Sequence, residues 1–324
     1  MGNIGDKEIN SNSIDSIESV NIGGIKQWVS LRSDDISNPI ILFLHGGPGS
    51  AQISFSRKSQ YKLEKDFLVV NWDQRGAGKS YNNSIQKNDM KIENFVFDAI
   101  ELVEALLKRF KQRKVFLVGH SWGSILGAQL SCKRPDLVLA YIGIGQVVDM
   151  KRGEELSYKF TLDEAKRQNN LKAITELQKI GQPPYENLKF AGIQRKWLSK
   201  FHGETFKGSG LGTIFKNLSI KDTSPLDIIK FVKGAIFSLK SLEEQQMEVN
   251  LLRDISELKV PVYFCSGRRD YNVPFELVIE YLEKLRAPHK KIIWFERSAH
   301  MPNFEESDIF CEFCISLLKE MTII

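Results

Sequence analysis

Short apolar runs rich in β-branched and aromatic residues alternate with longer amphipathic stretches along most of this 324-residue chain. Alternation of this kind is typical of a mostly parallel sheet with helices packed on its faces. The predicted strands cover residues 40–44, 67–72, 115–118, 141–144, 260–265 and 291–295. Residues 17–33 are expected to form a leading antiparallel pair with "NIGG" as its turn. The sequence therefore predicts an α/β fold built on a mostly parallel, twisted sheet.

The alternation stops after Val148 and resumes at "LKVPVYFCSG". Between them, residues 149–246 carry helical patterns and no convincing buried strand, which indicates a helical insertion after the sixth strand. One of its helices is expected to begin with Ser224 as N-cap and Pro225 in the first turn. We therefore predict a sheet domain from residues 1–148 and 247–324, with residues 149–246 as a helical cap.

Composition excludes several classes of partner. The chain has 45 basic and 40 acidic residues, and a net charge of +5 is too small and too dispersed to indicate nucleic-acid binding. No apolar run approaches the ~18 residues of a membrane span, and residues 1–16 lack the apolar stretch of a signal peptide. We expect a cytoplasmic protein with no membrane partner. Its four cysteines are expected to be free thiols, with Cys311 and Cys314 on a buried helix face.

The pentapeptide "GHSWG", residues 119–123, stands between the predicted strand 115–118 and the helical pattern "WGSILGAQLS". A serine in such a strand–turn–helix setting is typical of a nucleophile elbow, in which the turn exposes the side chain. Ser121 would then lie at a helix N-terminus, where partial positive charge favours an oxyanion. The alternative is a serine in an ordinary strand-to-helix turn.

A serine hydroxyl needs a base to remove its proton and an acid to orient that base. The chain has five histidines. His300, in "ERSAHMPNFEE" just after the last predicted strand, is the predicted general base, whereas His120 is expected to point away from Ser121. Asp270, which follows strand 260–265, is the predicted acid, with helix capping before "VPFELV" as its alternative role.

The tetrahedral intermediate of such a reaction needs two hydrogen-bond donors. The main-chain N–H of Trp122 is one candidate. The other should come from the loop "HGGPGS" after strand 40–44, and because Pro48 has no N–H, the donor is Gly46 or Gly47, of which we favour Gly47. His45 and Gly46 are also candidates for substrate contact, although His45 has the alternative role of fixing the turn.

Five ordered blocks now suggest a known family. They are "HGGPGS" (45–50), "NWDQRGAGKS" (71–80), "GHSWGS" (119–124), "SGRRDYNVP" (266–274) and "SAHMPNFEE" (298–306). Together they resemble the proline iminopeptidase branch of the α/β-hydrolase superfamily, of peptidase family S33 type. The resemblance implies an α/β-hydrolase fold with a helical cap, a Ser121–Asp270–His300 triad and no cofactor. It also implies that residues 73–76 support the oxyanion loop, with a solvated turn as the alternative for Asp73 and Arg75.

The cap departs from the family's pattern. Proline iminopeptidases bind the free α-amine of the substrate with cap glutamates, one typically in a tryptophan-glutamate-glycine segment. This chain has "KWLSKFHGET", in which His202 takes the place of that glutamate. Glu204, two residues on, is the predicted substitute, and Glu154 and Glu155 are poorer candidates. His202 and Glu204 are thus candidate substrate-binding residues.

Three functions follow from these residues. The first is an aminopeptidase that releases an N-terminal residue, often proline, from short peptides through an acyl-enzyme. The second uses the same triad on an ester, lactone or amide of a small metabolite, and the missing cap glutamate favours it. The third is a catalytically silent receptor or scaffold, which the filled triad positions disfavour. The expected partner is a small-molecule or short-peptide substrate.

Overall fold

Eight strands form one sheet in the computed structural model, which describes residues 12–185 and 187–322. The strands are β1 (Ile14–Ile22), β2 (Ile25–Ser33), β3 (Ile40–Leu44), β4 (Leu68–Asp73), β5 (Val115–His120), β6 (Val138–Ile144), β7 (Val262–Gly267) and β8 (Lys290–Phe295). Their order across the sheet is β1-β2-β4-β3-β5-β6-β7-β8. The first two strands are antiparallel to their neighbours, and β4 to β8 run parallel with β3. The predicted mostly parallel sheet is confirmed.

Helices cover both faces of this sheet. They are α1 (Arg57–Gln60), α2 (Ile92–Phe110), α3 (Trp122–Lys133), α4 (Met150–Arg167), α5 (Leu171–Ile180), α6 (Leu188–Lys200), α7 (Gly210–Lys216), α8 (Pro225–Met247), α9 (Leu251–Asp254), α10 (Phe275–Lys284), α11 (Pro302–Glu305) and α12 (Ser307–Thr322). Side chains alternate across each strand, so Leu42 joins the core beneath α2 and α3, whereas Phe43 joins the core beneath α12. The central strands are therefore buried on both sides.

The strand ends differ by a few residues from the predictions. β6 begins at Val138, earlier than residue 141, and β7 begins at Val262, two residues after the predicted start. Pro261 has no N–H and contributes only its carbonyl, which accepts from the amide of Tyr141 at 2.9 Å. The leading pair turns at Gly23 and Gly24, as "NIGG" predicted, and both have positive φ angles of 57° and 75°. The earliest part of the predicted sheet domain, residues 1–11, lies outside the described residues.

The chain between β6 and β7 contributes helices and, among its described residues, no strand of the sheet. Helices α4, α5 and α6 pack around a separate small hydrophobic cluster that includes Tyr158, Leu177 and Trp197. Helix α8 begins as predicted: Ser224 accepts from the amide of Asp227, whose carboxylate accepts from the amide of Ser224. These helices bring side chains from outside the sheet domain towards the ends of β5 and β7.

The cysteines are free thiols, as predicted: Cys132 is exposed, and Cys265, Cys311 and Cys314 are buried. In the described part of the chain, no helix combines the length and hydropathy that a membrane crossing requires.

Candidate active site

Ser121 occupies a sharp turn between β5 and α3. Its φ and ψ angles are 51° and −118°, a left-handed conformation that costs about 1–3 kcal/mol for a residue with a side chain. Its amide donates to the carbonyl of Ile144 at 2.8 Å, which ties the turn to β6. At Gly123 a Cβ atom would lie only 2.1 Å from the carbonyl oxygen of Leu44, so only glycine lets α3 approach β3 this closely. The elbow geometry predicted from "GHSWG" is present.

His300 and Asp270 form a buried hydrogen-bonded pair. The Nδ1 atom of His300 donates to Oδ2 of Asp270 at 2.9 Å, and the two residues are 6 % and 1 % exposed. The other carboxylate oxygen of Asp270 accepts from the amides of Val273 at 2.8 Å and Asn272 at 3.1 Å. A proton held on Nδ1 leaves Nε2 as the atom that can accept another proton. The pair therefore has the orientation that a general base requires.

Asp270 also sets the charge state of His300. Burial by itself lowers the pKa of the imidazole, but the negative charge and the hydrogen bond of Asp270 outweigh burial and raise that pKa above its ordinary value. The protonated imidazole is therefore stabilised in this site, as it must be if it carries a proton between two steps of a reaction.

Gly145 connects the serine turn to this pair. It follows Ile144, the residue that accepts from the Ser121 amide, and its own amide donates to the carbonyl of Cys265 at 3.2 Å. A Cβ atom at Gly145 would lie 2.8 Å from the imidazole of His300 and 3.2 Å from Oδ2 of Asp270. The serine turn and the histidine–aspartate pair therefore meet at one edge of the sheet.

His120 braces the loop that carries His300. Its Nε2 atom donates to the main-chain carbonyl of His300 at 2.9 Å, and the two ring centroids are 5.0 Å apart. Burial, together with the nearby His300, lowers the pKa of His120 to about 3, so the ring is neutral over the working range. As expected, His120 does not serve Ser121 directly, but the sequence contained no signal for this contact.

The loop after β3 is held from beneath by Gln74. The main-chain N–H of Gln74 donates to Nε2 of His45 at 3.1 Å, and the side-chain Nε2 of Gln74 donates to the main-chain carbonyl of His45 at 2.9 Å. The Oε1 atom of Gln74 accepts from the indole N–H of Trp122 at 2.9 Å. His45 also bonds the carbonyl of Gly46 through Nδ1 at 2.8 Å, and burial lowers the pKa of His45 to about 4. His45 is thus a neutral residue that fixes the turn.

Asp73 and Arg75 are both buried, so the solvated-turn alternative is wrong. Asp73 accepts from the amides of Ile53 at 3.2 Å and Lys79 at 2.9 Å. Arg75 donates to both carboxylate oxygens of Asp98 at 2.9 Å. The segment that follows β4 is therefore anchored on both sides of Gln74.

A cavity of about 1180 Å³ opens over this edge of the sheet. Gly47, Ser121 and Trp122 lie in its wall, together with residues from α4, α6 and α8. The amide of Trp122 is the first in α3, and the first amides of a helix have no carbonyl partner within it. Gly47 and Trp122 thus line the same cavity as Ser121, whereas His45 and Gly46 do not. Gly46 nevertheless lies close to the serine, because a Cβ atom there would be 3.2 Å from Cβ of Ser121.

Comparison with known proteins decides the family. The family model described as "alpha/beta hydrolase fold" matches residues 39–307, which is most of the chain. The chain is an α/β-hydrolase. It is 36 % identical over 307 residues to the probable aminopeptidase YbaC of Bacillus subtilis, covering 92 % of this chain and 94 % of that protein.

Other relatives place the hydrolase in the proline iminopeptidase-like branch of that family. It is 26 % identical over 299 residues to the proline iminopeptidase of Heyndrickxia coagulans, covering 88 % of this chain and 92 % of that one. Among solved structures, the proline iminopeptidase of Mycobacterium smegmatis superposes with a TM-score of 0.64 at 16 % identity, covering 95 % and 99 % of the two chains. At that identity the likeness shows the fold alone.

Charged side chains line the cavity of the hydrolase. The acidic ones are Asp149, Glu154, Glu243, Glu244 and Glu248, and the basic ones are Lys151, Lys189 and Arg195. Arg195 forms an ion pair with Glu154, and Lys151 pairs with Glu248 at 2.8 Å. Asp149 caps α4 by accepting from the amide of Arg152 at 3.1 Å. Glu243, Glu244 and Lys189 make no ion pair or hydrogen bond with another described side chain, so two carboxylates and one ammonium group are available to a bound molecule.

The segment "KWLSKFHGET", residues 196–205, supplies none of the residues that line this cavity. His202 is exposed with a positive φ of 60°, and the half-buried Glu204 side chain lies against Gly210. The structure does not bring either candidate side chain to the cavity. Glu154, ranked below Glu204 on the sequence, does line it, whereas Glu155 lines a separate, smaller cavity of about 410 Å³.

The main chain of this segment instead braces the acid and base loops. The carbonyl of Gly203 accepts from the amides of Tyr271 at 2.9 Å and Asn272 at 3.1 Å. The carbonyl of Glu204 accepts from the amide of His300 at 3.0 Å. The helical insertion therefore holds the loops of Asp270 and His300 directly.

Glu305 completes this bracing. One of its carboxylate oxygens accepts from the amide of Phe206 at 2.6 Å and the other from the amide of Ala299 at 2.9 Å, which links the insertion to the residue before His300. Burial raises the pKa of Glu305 above its usual range. Its role was not predicted, because two main-chain donors far apart in sequence leave no local pattern.

Proposed function

We propose that the hydrolase is a serine aminopeptidase that releases an N-terminal residue from short peptides. The observation that carries the proposal is the position of Ser121, on a strained elbow, in a cavity that is also lined by the unpaired carboxylates of Glu243 and Glu244. The names of the relatives, a probable aminopeptidase and a proline iminopeptidase, favour the same activity.

In this mechanism Ser121 Oγ attacks the scissile carbonyl carbon, and Nε2 of His300 accepts the hydroxyl proton. Asp270, hydrogen-bonded to Nδ1 at 2.9 Å, stabilises the imidazolium that forms. The amides of Trp122 and Gly47 are the proposed donors to the oxyanion. His300 then returns the proton to the leaving nitrogen, and the amide bond breaks to give an acyl-enzyme. A water molecule, activated by the same imidazole, hydrolyses that ester and restores Ser121.

The unpaired carboxylates supply the counter-charge that a peptide N-terminus needs. Taking an ammonium group out of water is costly unless an opposite charge meets it. Glu243 is half-buried and Glu244 is exposed, and both lie on α8. Glu243 is therefore the stronger candidate, because a partly buried carboxylate is screened less by solvent. It replaces Glu204 as our candidate for the amine contact.

We further propose that residues 149–246 act as a cap that limits the size of the substrate. The cavity volume of about 1180 Å³ is slightly larger than the ~300–1,000 Å³ common for small-ligand sites. A di- or tripeptide fits such a volume, whereas a folded protein chain does not.

The test is hydrolysis of proline-naphthylamide and short peptides with free or acetylated N-termini, by wild type and Ser121→Ala. We expect turnover of free-amine substrates by wild type, none by the variant, and fluorophosphonate labelling of wild type at Ser121. An enzyme that is labelled at Ser121 but leaves every free-amine substrate intact would contradict the aminopeptidase proposal. An unlabelled, folded wild type would instead point to a silent receptor.

A second candidate is hydrolysis of an ester, lactone or amide of a small, carboxylate-bearing metabolite. Arg195 favours it, because this guanidinium lies in the cavity wall and is matched to carboxylate recognition. The ion pair between Arg195 and Glu154 argues against this second candidate, because the carboxylate of Glu154 already neutralises the guanidinium. Short acyl esters and lactones in the same panel separate the two: turnover of these with no peptide cleavage supports the second candidate.

A further inference from the structure

The solvent side of α7 and α8 is unusually apolar. Eight of the twelve large hydrophobic side chains that are exposed in the described part of the chain lie between residues 211 and 239. They are Leu211, Phe215, Ile220, Leu226, Ile229, Val232, Ile236 and Leu239, here called the apolar strip. Scattered exposed apolar residues are normal, but a contiguous set of this kind marks an interaction surface.

Most of the strip follows one face of α8. Leu226, Ile229, Val232, Ile236 and Leu239 recur every three or four residues, so they align along roughly 20 Å of the helix. Their exposed fractions run from 59 % to 40 %. A helix on the outside of a domain normally turns a polar face to water. Here the outward face is apolar, although the opposite face already packs against the sheet domain.

The inward face of α8 is occupied by its own contacts. The hydroxyl of Ser238 donates to the carbonyl of Gly76 at 3.2 Å, and Lys79 pairs with Asp227 at 2.7 Å. Phe231 contacts Phe55, whose ring also meets Phe215 of α7. The two helices are therefore anchored side by side, and the strip is a fixed surface.

Along residues 210–240 the charges left unpaired are all basic, whereas one turn further on the unpaired Glu243 and Glu244 line the cavity. Lys216, Lys233 and Lys240 are exposed beside the strip and make no ion pair with another described residue. The two acidic residues between positions 210 and 240 are both neutralised: Asp222 pairs with Arg32 and Arg57, and Asp227 pairs with Lys79. A helix face that combines an apolar stripe with flanking lysines fits an anionic lipid surface.

The strip also reaches the candidate active site. Leu239, its last member, lies in the wall of the cavity that contains Ser121. A surface bound along α8 would therefore lie next to that cavity. A second copy of the chain is the poorer occupant, because twofold contact along the strip would bring the two Lys233 side chains together near its centre.

We propose that the apolar strip and its lysines dock this protein on the surface of an anionic phospholipid bilayer. This proposal departs from the expectation of no membrane partner, which rested on the lack of an apolar run long enough to span a bilayer. No spanning segment is involved, because α8 would lie in the interface plane, with its leucine and isoleucine side chains among the upper acyl chains and its lysines near the phosphates. This docking is independent of which bond Ser121 cleaves.

The test is co-sedimentation of the full-length protein with vesicles of phosphatidylglycerol and phosphatidylcholine, or of phosphatidylcholine alone. We expect binding to the anionic vesicles, little binding to the neutral ones, and release at high salt. Lys233→Glu/Lys240→Glu should weaken partitioning by about twentyfold or more. Ile229→Ser/Ile236→Ser should weaken it by about tenfold or more.

The matched control is Lys87→Glu/Leu171→Ser, which changes an exposed lysine and an exposed leucine outside the strip and should leave binding unchanged. Fluorophosphonate labelling and circular dichroism report whether each variant is folded. Wild type that stays in the supernatant with anionic vesicles overturns the proposal. So does binding that the strip variants do not weaken, or a wild-type dimer in sedimentation velocity that Ile229→Ser/Ile236→Ser dissociates.

Discussion

The imidazole Nε2 atom of His120 lies 2.9 Å from the main-chain carbonyl oxygen of His300, to which it donates. His120 immediately precedes Ser121, and His300 is the proposed base, so one side chain links the serine turn to the base loop. The same loop is held on its other side by the carbonyl of Glu204 and the carboxylate of Glu305. These contacts decide where the imidazole sits relative to the serine.

His120→Ala should therefore lower kcat by about tenfold while KM changes little, because the lost hydrogen bond lets the His300 loop shift without altering the cavity wall. His120→Gln should recover most of the loss, since its side-chain amide can donate from a similar position. Steady-state kinetics checks this, with the exposed His289→Ala as the matched histidine control. A KM effect equal to the kcat effect would contradict a positioning role.

The pairing of His300 with Asp270 predicts how kcat/KM depends on pH. The proposed mechanism needs neutral His300, so kcat/KM should rise with pH as His300 loses its proton, and in wild type this limb should lie above the ordinary histidine pKa of about 6.5. In Asp270→Asn the carboxylate charge is gone, so burial lowers the pKa of His300 with only the charge of Glu204 left to oppose it. The limb should move to lower pH, and kcat should fall by about 10³–10⁴.

The control for this experiment is the exposed Asp308→Asn, whose profile should match wild type. Profiles of kcat/KM against pH for the three proteins decide the point. An acid limb at the same pH in wild type and Asp270→Asn would show that His300 does not take its charge state from Asp270.

Glu243→Gln should raise KM for free-amine substrates by about tenfold or more, because a charge-assisted hydrogen bond contributes about 1.5–3 kcal/mol. The neighbouring Glu244→Gln is the matched control and should have a smaller effect, since exposed charge pairs contribute less than about 1 kcal/mol. Kinetics with free and N-acetylated substrates separates amine binding from general weakening. Equal loss on both substrate types would argue against an amine contact.

The ion pair of Arg75 and Asp98 should dominate the stability of the segment after β4. Both side chains are nearly fully buried, so Asp98→Asn leaves a buried guanidinium without its counter-charge and should lower the free energy of unfolding by about 3–5 kcal/mol. The exposed pair of Arg268 and Glu296 provides the comparison: Glu296→Gln should cost less than about 1 kcal/mol. Urea denaturation measures both, and similar losses would contradict the difference in burial.

Much of the sheet and the elbow was predictable because their signals are local. An apolar run that ends in a glycine or a polar loop marks a strand and its carboxyl end, and parallel strands bring those ends to one edge. Ser121, Asp270 and His300 each follow such a run, so their placement near one another follows from the topology. The boundary errors at β6 and β7 are small, because hydrogen bonding extends or shortens a strand beyond its apolar run.

The cavity wall was not predictable in the same way. The segment "KWLSKFHGET" predicted His202 and Glu204 as substrate-binding residues. In the structure the charged residues that line the cavity include Glu154, Arg195 and Glu243, which lie on three different helices. Which helix faces turn inward depends on how α4, α6 and α8 pack on one another and on the sheet. That packing is decided by contacts between residues far apart in the chain, such as Ser238 with Gly76. Such contacts produce no periodic pattern in the sequence from which the inward faces could be predicted.

The sequence by itself thus determined the fold class, the serine turn and the order of the proposed triad, because strand runs and tight turns are encoded within a few neighbouring residues. Only the tertiary structure decided which carboxylates remain unpaired in the cavity of Ser121, that His120 and Glu305 brace the His300 loop, and that α8 turns an apolar face outward. Those features arise from burial and charge pairing across the whole chain, where each group's partner is known only after the helices have packed.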